Sequence, residues 1–210
     1  MSHAVRQCGS VMIARGEQSR TGLLGLPLGA PRWTGFCALA LLVYYALSMS
    51  RSLSLYDSPE LALVAAQLGL GHPFGQPLHT MLGALFARIQ GLDPLLGLNA
   101  LSALAGALTL VPATSLSEAL VRAKDKRALR FVPPSLALLG VYPTLWEPAT
   151  RIEVYSLASF FALWGMARLI HAWLDRESRL APYMLAGLSL GLSASANPVC
   201  AAVAAAALGP

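Results

Sequence analysis

Charge is the first thing this sequence lacks. Of its 210 residues only 12% are Asp, Glu, Lys or Arg, and the carboxylates number 10. A soluble domain usually carries about 25% charged residues. Half that share, beside 56% hydrophobic residues, excludes an ordinary water-soluble fold and points to lipid as the solvent. Cysteine is equally scarce. Cys8, Cys37 and Cys200 are odd in number and far apart, so neither a disulfide framework nor a metal-ligand spacing can be read from them. Cys37 and Cys200 lie inside apolar runs and read as small core residues. There is no Walker-type phosphate loop, zinc spacing or dinucleotide fingerprint. The net charge of +5 does not read as nucleic-acid binding, because the basic residues sit between apolar runs without interleaved aromatics.

What the sequence has instead is long apolar runs. A helix needs roughly 20 apolar residues to cross a bilayer, and five stretches have that character: 33–50, 94–116, 131–146, 153–174 and 182–208. The expected fold class is therefore an all-α integral membrane protein with about five transmembrane helices in residues 33–210. Residues 1–32 are polar, Gly- and Arg-containing and aperiodic. They read as a poorly ordered cytoplasmic tail, with the first span kept as a signal anchor rather than cleaved, because the leading segment is long for a signal peptide.

Charge bias orients the chain. Arg6, Arg15, Arg20 and Arg32 precede the first span. Arg122, Lys124, Lys126, Arg127 and Arg130 follow the second, and Arg168, Arg176 and Arg179 surround the end of the fourth. Positive residues favour the cytoplasmic side. All three clusters reach that side only if 76–90, a stretch of about 15 residues, is interfacial or re-entrant rather than a crossing. Every Lys and Arg except Arg51, Arg88 and Arg151 is then cytoplasmic. Two polar segments, "YDSPELALVAAQLGLGHPFG" and "WEPATRIEVY", share the opposite, extracytoplasmic face.

Each segment has a purely structural reading. In the first, Asp57 or Ser58 caps a helix, Pro59 suits its first turn and Glu60 its positive end. Leu61, Val64, Ala65 and Leu68 recur at helical spacing, and Gly69, Gly71 and Pro73 end the helix. His72 is then a turn residue. In the second, Trp146 and Tyr155 suit a membrane interface, Glu147 and Arg151 are four apart and able to pair, and Glu153 suits a helix start. Ionisable groups at membrane depth are nevertheless functional candidates by default. A carboxylate can take a proton from an attacking hydroxyl, and an arginine can hold a phosphate through two parallel hydrogen bonds.

The order and spacing of "DSPE", "GHPFGQPL", "WEPATRIEVYSL" and "GLSLGLSASANP" resemble the landmarks of the membrane family once called domain of unknown function 2723, which includes transmembrane protein 260. That family is related to protein O-mannosyltransferases within the GT-C glycosyltransferase superfamily. The resemblance runs from about residue 35 onward and implies the N-terminal part of a GT-C-like helical bundle. It further implies transfer of a sugar, such as mannose, from a polyprenyl-phosphate donor to a protein or glycan acceptor hydroxyl outside the cytoplasm. Asp57 matches the catalytic aspartate that follows the first span and would be the general base, with Glu60 supporting it. His72 would shape the sugar or phosphate site, Arg151 would neutralise the carrier phosphate, and Glu153 would position Arg151 or substrate. Tyr155 belongs to the same motif. Asn197 stands where relatives often carry histidine and would take over that contact. The resemblance implies no cofactor and no need for a divalent metal.

Two other function classes fit the composition. Broken helices and charges near the membrane suit a transporter or flippase, although no internal repeat is visible. A non-catalytic scaffold subunit suits the short length.

Overall fold

The computed structural model describes residues 33–73, 75–121 and 128–208, and among these every regular element is helical, with no strand. The expected N-terminal tail and most of the second basic cluster lie outside the described residues. In order, the helices are α1 (Trp33–Ser48), α2 (Ser58–Gln67), α3 (Pro77–Ala87), α4 (Pro94–Leu108), α5 (Leu110–Val121), α6 (Val132–Gly140), α7 (Pro143–Thr150), α8 (Tyr155–Leu174), α9 (Leu180–Ala196) and α10 (Pro198–Ala207). A 3-10 turn, Ala128–Phe131, leads into α6. Proline marks many of the starts: α2, α3, α4, α6, α7 and α10 each carry one in the first turn. A missing N–H is harmless there, and the fixed φ suits the helix.

Two stretches are long and apolar enough to cross a membrane, Pro94–Leu120 and Tyr155–Leu174. The remaining apolar helices have 10–17 residues. The runs at 131–146 and 182–208 are not continuous helices, contrary to the expectation from hydropathy. The first breaks at Tyr142, which is extended (φ −66°, ψ 139°). The second breaks at Asn197, also extended (φ −156°, ψ 113°). Both precede a proline, whose ring disfavours helical geometry in the residue before it. Hydropathy does not register that steric effect. The run at 153–174 begins its helix only at Tyr155, leaving Glu153 in the turn ahead of it.

Several buried positions carry small or polar side chains. α1 exposes Phe36, Leu39, Val43 and Leu47 and turns Cys37, Ala38, Leu41 and Tyr45 inward. The buried face of α4 includes Gly97, Asn99, Ser102, Ala103, Ala105 and Ala107. Small and polar side chains are buried beside Leu41, Tyr45, Leu98 and Leu101, and such small residues allow the close backbone approach typical of helices that pack in lipid. Gly165 in α8 illustrates the closeness. A Cβ there would stand 2.8 Å from Leu190 Cγ and 3.0 Å from the Ala186 carbonyl oxygen of α9. Buried hydroxyls add cross-helix bonds: Ser193 Oγ donates to Ala158 O (2.9 Å), and Ser115 Oγ meets His171 Nε2 (2.9 Å) between α5 and α8.

Candidate functional site

The site is assembled where the N-terminus of α2 meets the turn between α7 and α8. Ser58 is fully buried, and its hydroxyl donates to the Ile152 carbonyl (3.0 Å) across 94 residues of sequence. Leu61, Ala65, Leu98, Ile152 and Val154 form one apolar cluster beneath this contact. The Ser50 N–H donates to Thr150 O (2.8 Å), and Asn99 Nδ2 donates to Ser50 O (2.8 Å). Ser102 Oγ lies 3.3 Å from both the backbone oxygen and the backbone nitrogen of Glu153. The turn 151–154 is thus fastened on one side to α2 and on the other to α4.

The first acidic group gathers around His72. Glu60 accepts from the His72 backbone N–H through Oε1 (2.6 Å) and faces its Nδ1 through Oε2 (3.1 Å). Gln76 Nε2 lies 3.2 Å from His72 Nε2, and Asp57 Oδ2 lies 4.0 Å from that same nitrogen. Asp57 occupies the N-cap position of α2, yet its side chain makes no capping bond, because its own backbone is already helical (φ −80°, ψ −14°).

The second group lines a cavity of about 790 Å³ bordered by α1 and by α4 to α8. Its lining includes Tyr56, Glu147, Arg151, Glu153 and Tyr155, the leucines Leu41, Leu110, Leu136, Leu139 and Leu163, and the hydroxyls of Tyr45, Thr109, Thr144, Ser156 and Ser159. Tyr155 and Leu163 are eight residues apart on α8, so the lining runs about 12 Å along that helix. The volume lies in the usual range for small-molecule sites. Arg151 pairs with Glu147 one helical turn earlier. Burial, and then the negative charge of Asp57, push the Glu153 carboxyl above the usual carboxylate range. A bond from the Val154 N–H and the Arg151 charge pull it back only in part.

The sequence candidates do not all converge. Asp57, Glu60 and His72 form one cluster, and Arg151, Glu153 and Tyr155 line the cavity beside it. Asn197 does not join them. Its Oδ1 accepts from Val199 N (2.9 Å) and Cys200 N (3.4 Å) and caps α10. Trp146 is half-buried: its indole N–H donates to Ser48 Oγ (2.9 Å) and its ring packs on the α1 core. Two residues escaped the sequence reading. Tyr56 lines the cavity with a left-handed backbone (φ 73°), and Gln76 reaches His72. Gln76 carried a signal, since a polar residue wedged between Gly75 and Pro77 has little backbone freedom. Among the described residues, no three His, Cys, Asp or Glu side chains gather closely enough to hold a metal ion.

Residues 57–208 match the family described as the protein O-mannosyl-transferase TMEM260 N-terminal domain. No curated protein and no solved structure matches the chain.

Proposed function

From the premise that the chain belongs to the protein O-mannosyl-transferase TMEM260 N-terminal domain family, we propose that it transfers a hexose from a polyprenyl-phosphate carrier to an acceptor hydroxyl at the extracytoplasmic membrane face. One observation carries this reading. A cluster of two carboxylates and a histidine lies beside a cavity lined by Glu147, Arg151 and Glu153 and otherwise mostly by apolar side chains, with a few hydroxyls among them. A lipid-linked sugar phosphate has matching parts: an isoprenoid tail for the leucines, a phosphate for Arg151, and a sugar between them.

The chemistry is a single displacement. Asp57 takes the proton of the acceptor hydroxyl as its oxygen bonds to the anomeric carbon. The carbon–oxygen bond to phosphate breaks on the opposite face, so configuration inverts. The departing polyprenyl phosphate carries the electron pair, and Arg151 meets that growing charge with its planar pair of donors. To do so Arg151 must exchange its Glu147 partner for the phosphate, and Glu153 beside it steadies the guanidinium. In this reading residues 33–210 form a GT-C-like bundle of about five crossings, with α2 and α3 at the outer surface. No cofactor or divalent metal takes part.

The test is transfer of radiolabelled mannose from polyprenyl phosphate mannose by the full chain in liposomes. Wild type should glycosylate an acceptor, and Asp57→Asn should lose nearly all turnover at unchanged abundance. Wild-type transport or scrambling of lipid without any sugar transfer would replace this reading with that of a flippase.

A further inference from the structure

The imidazole of His72 is contacted on both ring nitrogens, and the two contacts differ in kind. Glu60 spans the backbone N–H and Nδ1 with its two oxygens, at 2.6 and 3.1 Å. An ionised carboxylate only accepts hydrogen bonds, so the proton belongs on Nδ1. On the far side, Gln76 Nε2 stands 3.2 Å from His72 Nε2. An amide nitrogen only donates, so this contact requires a lone pair on His72 Nε2. The Gln76 oxygen faces the other way, toward Gly71, where it lies 3.4 Å from the place a Cβ would occupy.

Gln76 is held in this pose at some strain. It is 7% exposed, and its backbone is left-handed, with φ 37° and ψ 54°. Non-glycine residues seldom adopt that region, and the following Pro77 further restricts it. A glycine would relieve the strain but would have no amide to offer. Strain of this kind persists where the surrounding structure needs the side chain.

We propose that Gln76 is a positioning residue that fixes His72 as a neutral imidazole protonated on Nδ1, which leaves Asp57 without an ionic partner. The charged groups facing His72 are Glu60, on α2, and Asp57, just before it; Gln76 faces it from the α3 side. Were His72 doubly protonated, its Nε2–H would draw in Asp57 across the present 4.0 Å. The carboxylate would then be engaged in an ion pair and a weaker base. The catalytic meaning of the inference rests on the transferase reading, but the protonation state is a property of the chain alone.

The test is nitrogen NMR on the full chain in nanodiscs with labelled histidine, the His72 signals being identified by their loss in His72→Asn. At pH 8 wild type should show a protonated Nδ1 and a bare Nε2. Gln76→Met removes the donor and should raise the proton affinity of His72 by up to roughly tenfold, the worth of one hydrogen bond. Gln76→Glu should raise it further by placing an anion at Nε2. In the mannose-transfer assay the acid limb of the rate profile should move upward with the His72 midpoint. A wild-type proton on Nε2 overturns the proposal without requiring any variant to fold. Midpoints that stay put in both variants, with only thermal stability altered, also overturn it by reducing Gln76 to a packing residue. If the NMR pattern is as expected but no sugar is transferred, the positioning of His72 stands and the transferase reading falls.

Discussion

Ser58→Ala tests the junction that brings the two polar groups together. The Ser58 hydroxyl is fully buried, and its partner is the main-chain oxygen of Ile152. Alanine removes the donor without opening a hole of any size, but it strands a carbonyl in an apolar surround of Leu61, Ala65 and Leu98. Deleting one partner of a buried hydrogen bond costs about 1–3 kcal/mol. That corresponds to roughly a fivefold to 150-fold gain in the population of the undocked state at 1.4 kcal/mol per decade. The effect should be local. Amide hydrogen exchange in nanodiscs should speed up by about fivefold or more in α2 and in the turn 151–154, while α9 keeps its protection. Ser193→Ala is the matched control, because it breaks an equally buried bond to Ala158 O; it should loosen α9 and spare α2. Unchanged exchange in α2 after Ser58→Ala would refute the claim that this bond holds the two segments together.

Other perturbations have equally definite expected outcomes. Gly165→Ala drives a methyl against Leu190 and the Ala186 carbonyl and should lower stability by about 1–3 kcal/mol, read as a fall in melting temperature in detergent. Gly187→Ala, with open space around its Cβ, should instead hold or raise that temperature, since alanine is the better helix former. His79 in α3, outside both candidate spans, is 1% exposed, and burial lowers its pKa from 6.5 to about 4. The folded state therefore binds this proton less readily than the unfolded one. Stability is complete above pH 6.5 and falls as pH drops toward 4, by about 3 kcal/mol in all. His79→Leu should flatten that decline in a pH series of melting curves. Finally, Asp57→Asn removes the charge that helps raise the Glu153 pKa, so carboxylate infrared titration should find Glu153 ionising at lower pH than in wild type. An unmoved Glu153 would mean the two carboxylates do not share a field.

Much of the helical framework was legible in the sequence, for identifiable reasons. α2 was announced by Asp57-Ser58-Pro59-Glu60 and by the spacing of Leu61, Val64 and Ala65, all three of which are buried. Leu68 did not follow them inward, because it closes the helix in a left-handed conformation and points outward. The Glu147–Arg151 pair followed from a spacing of four. The breaks at Tyr142 and Asn197 were missed because apolar composition is blind to main-chain geometry, although Pro143 and Pro198 marked both places. Asn197 illustrates a further limit: an asparagine before a proline suits a cap as well as a ligand, and the bonds from Val199 and Cys200 to its Oδ1 show the cap. The bond from Ser58 to Ile152 left no trace in either segment. Its acceptor is a main-chain oxygen that carries no residue identity, and a lone serine at a helix start suits a cap as well as a distant partner.

Among the described residues, two aspartates stand at the start of a helix, and they are used in opposite ways. Asp93 gives its Oδ1 to the amides of Leu95 and Leu96, at 2.8 and 3.4 Å, as a capping residue should. Asp57 leaves the amides of α2 uncapped by its side chain, forgoing about 1 kcal/mol of helix stability. Position 57 is therefore mechanically idle: the helix does not lean on its carboxylate, and shortening or neutralising that group should leave the scaffold standing. Position 93 offers no such freedom, since loss of function there would be confounded with fraying of α4. Of the two, only Asp57 can be altered and the outcome ascribed to chemistry rather than to a weakened frame.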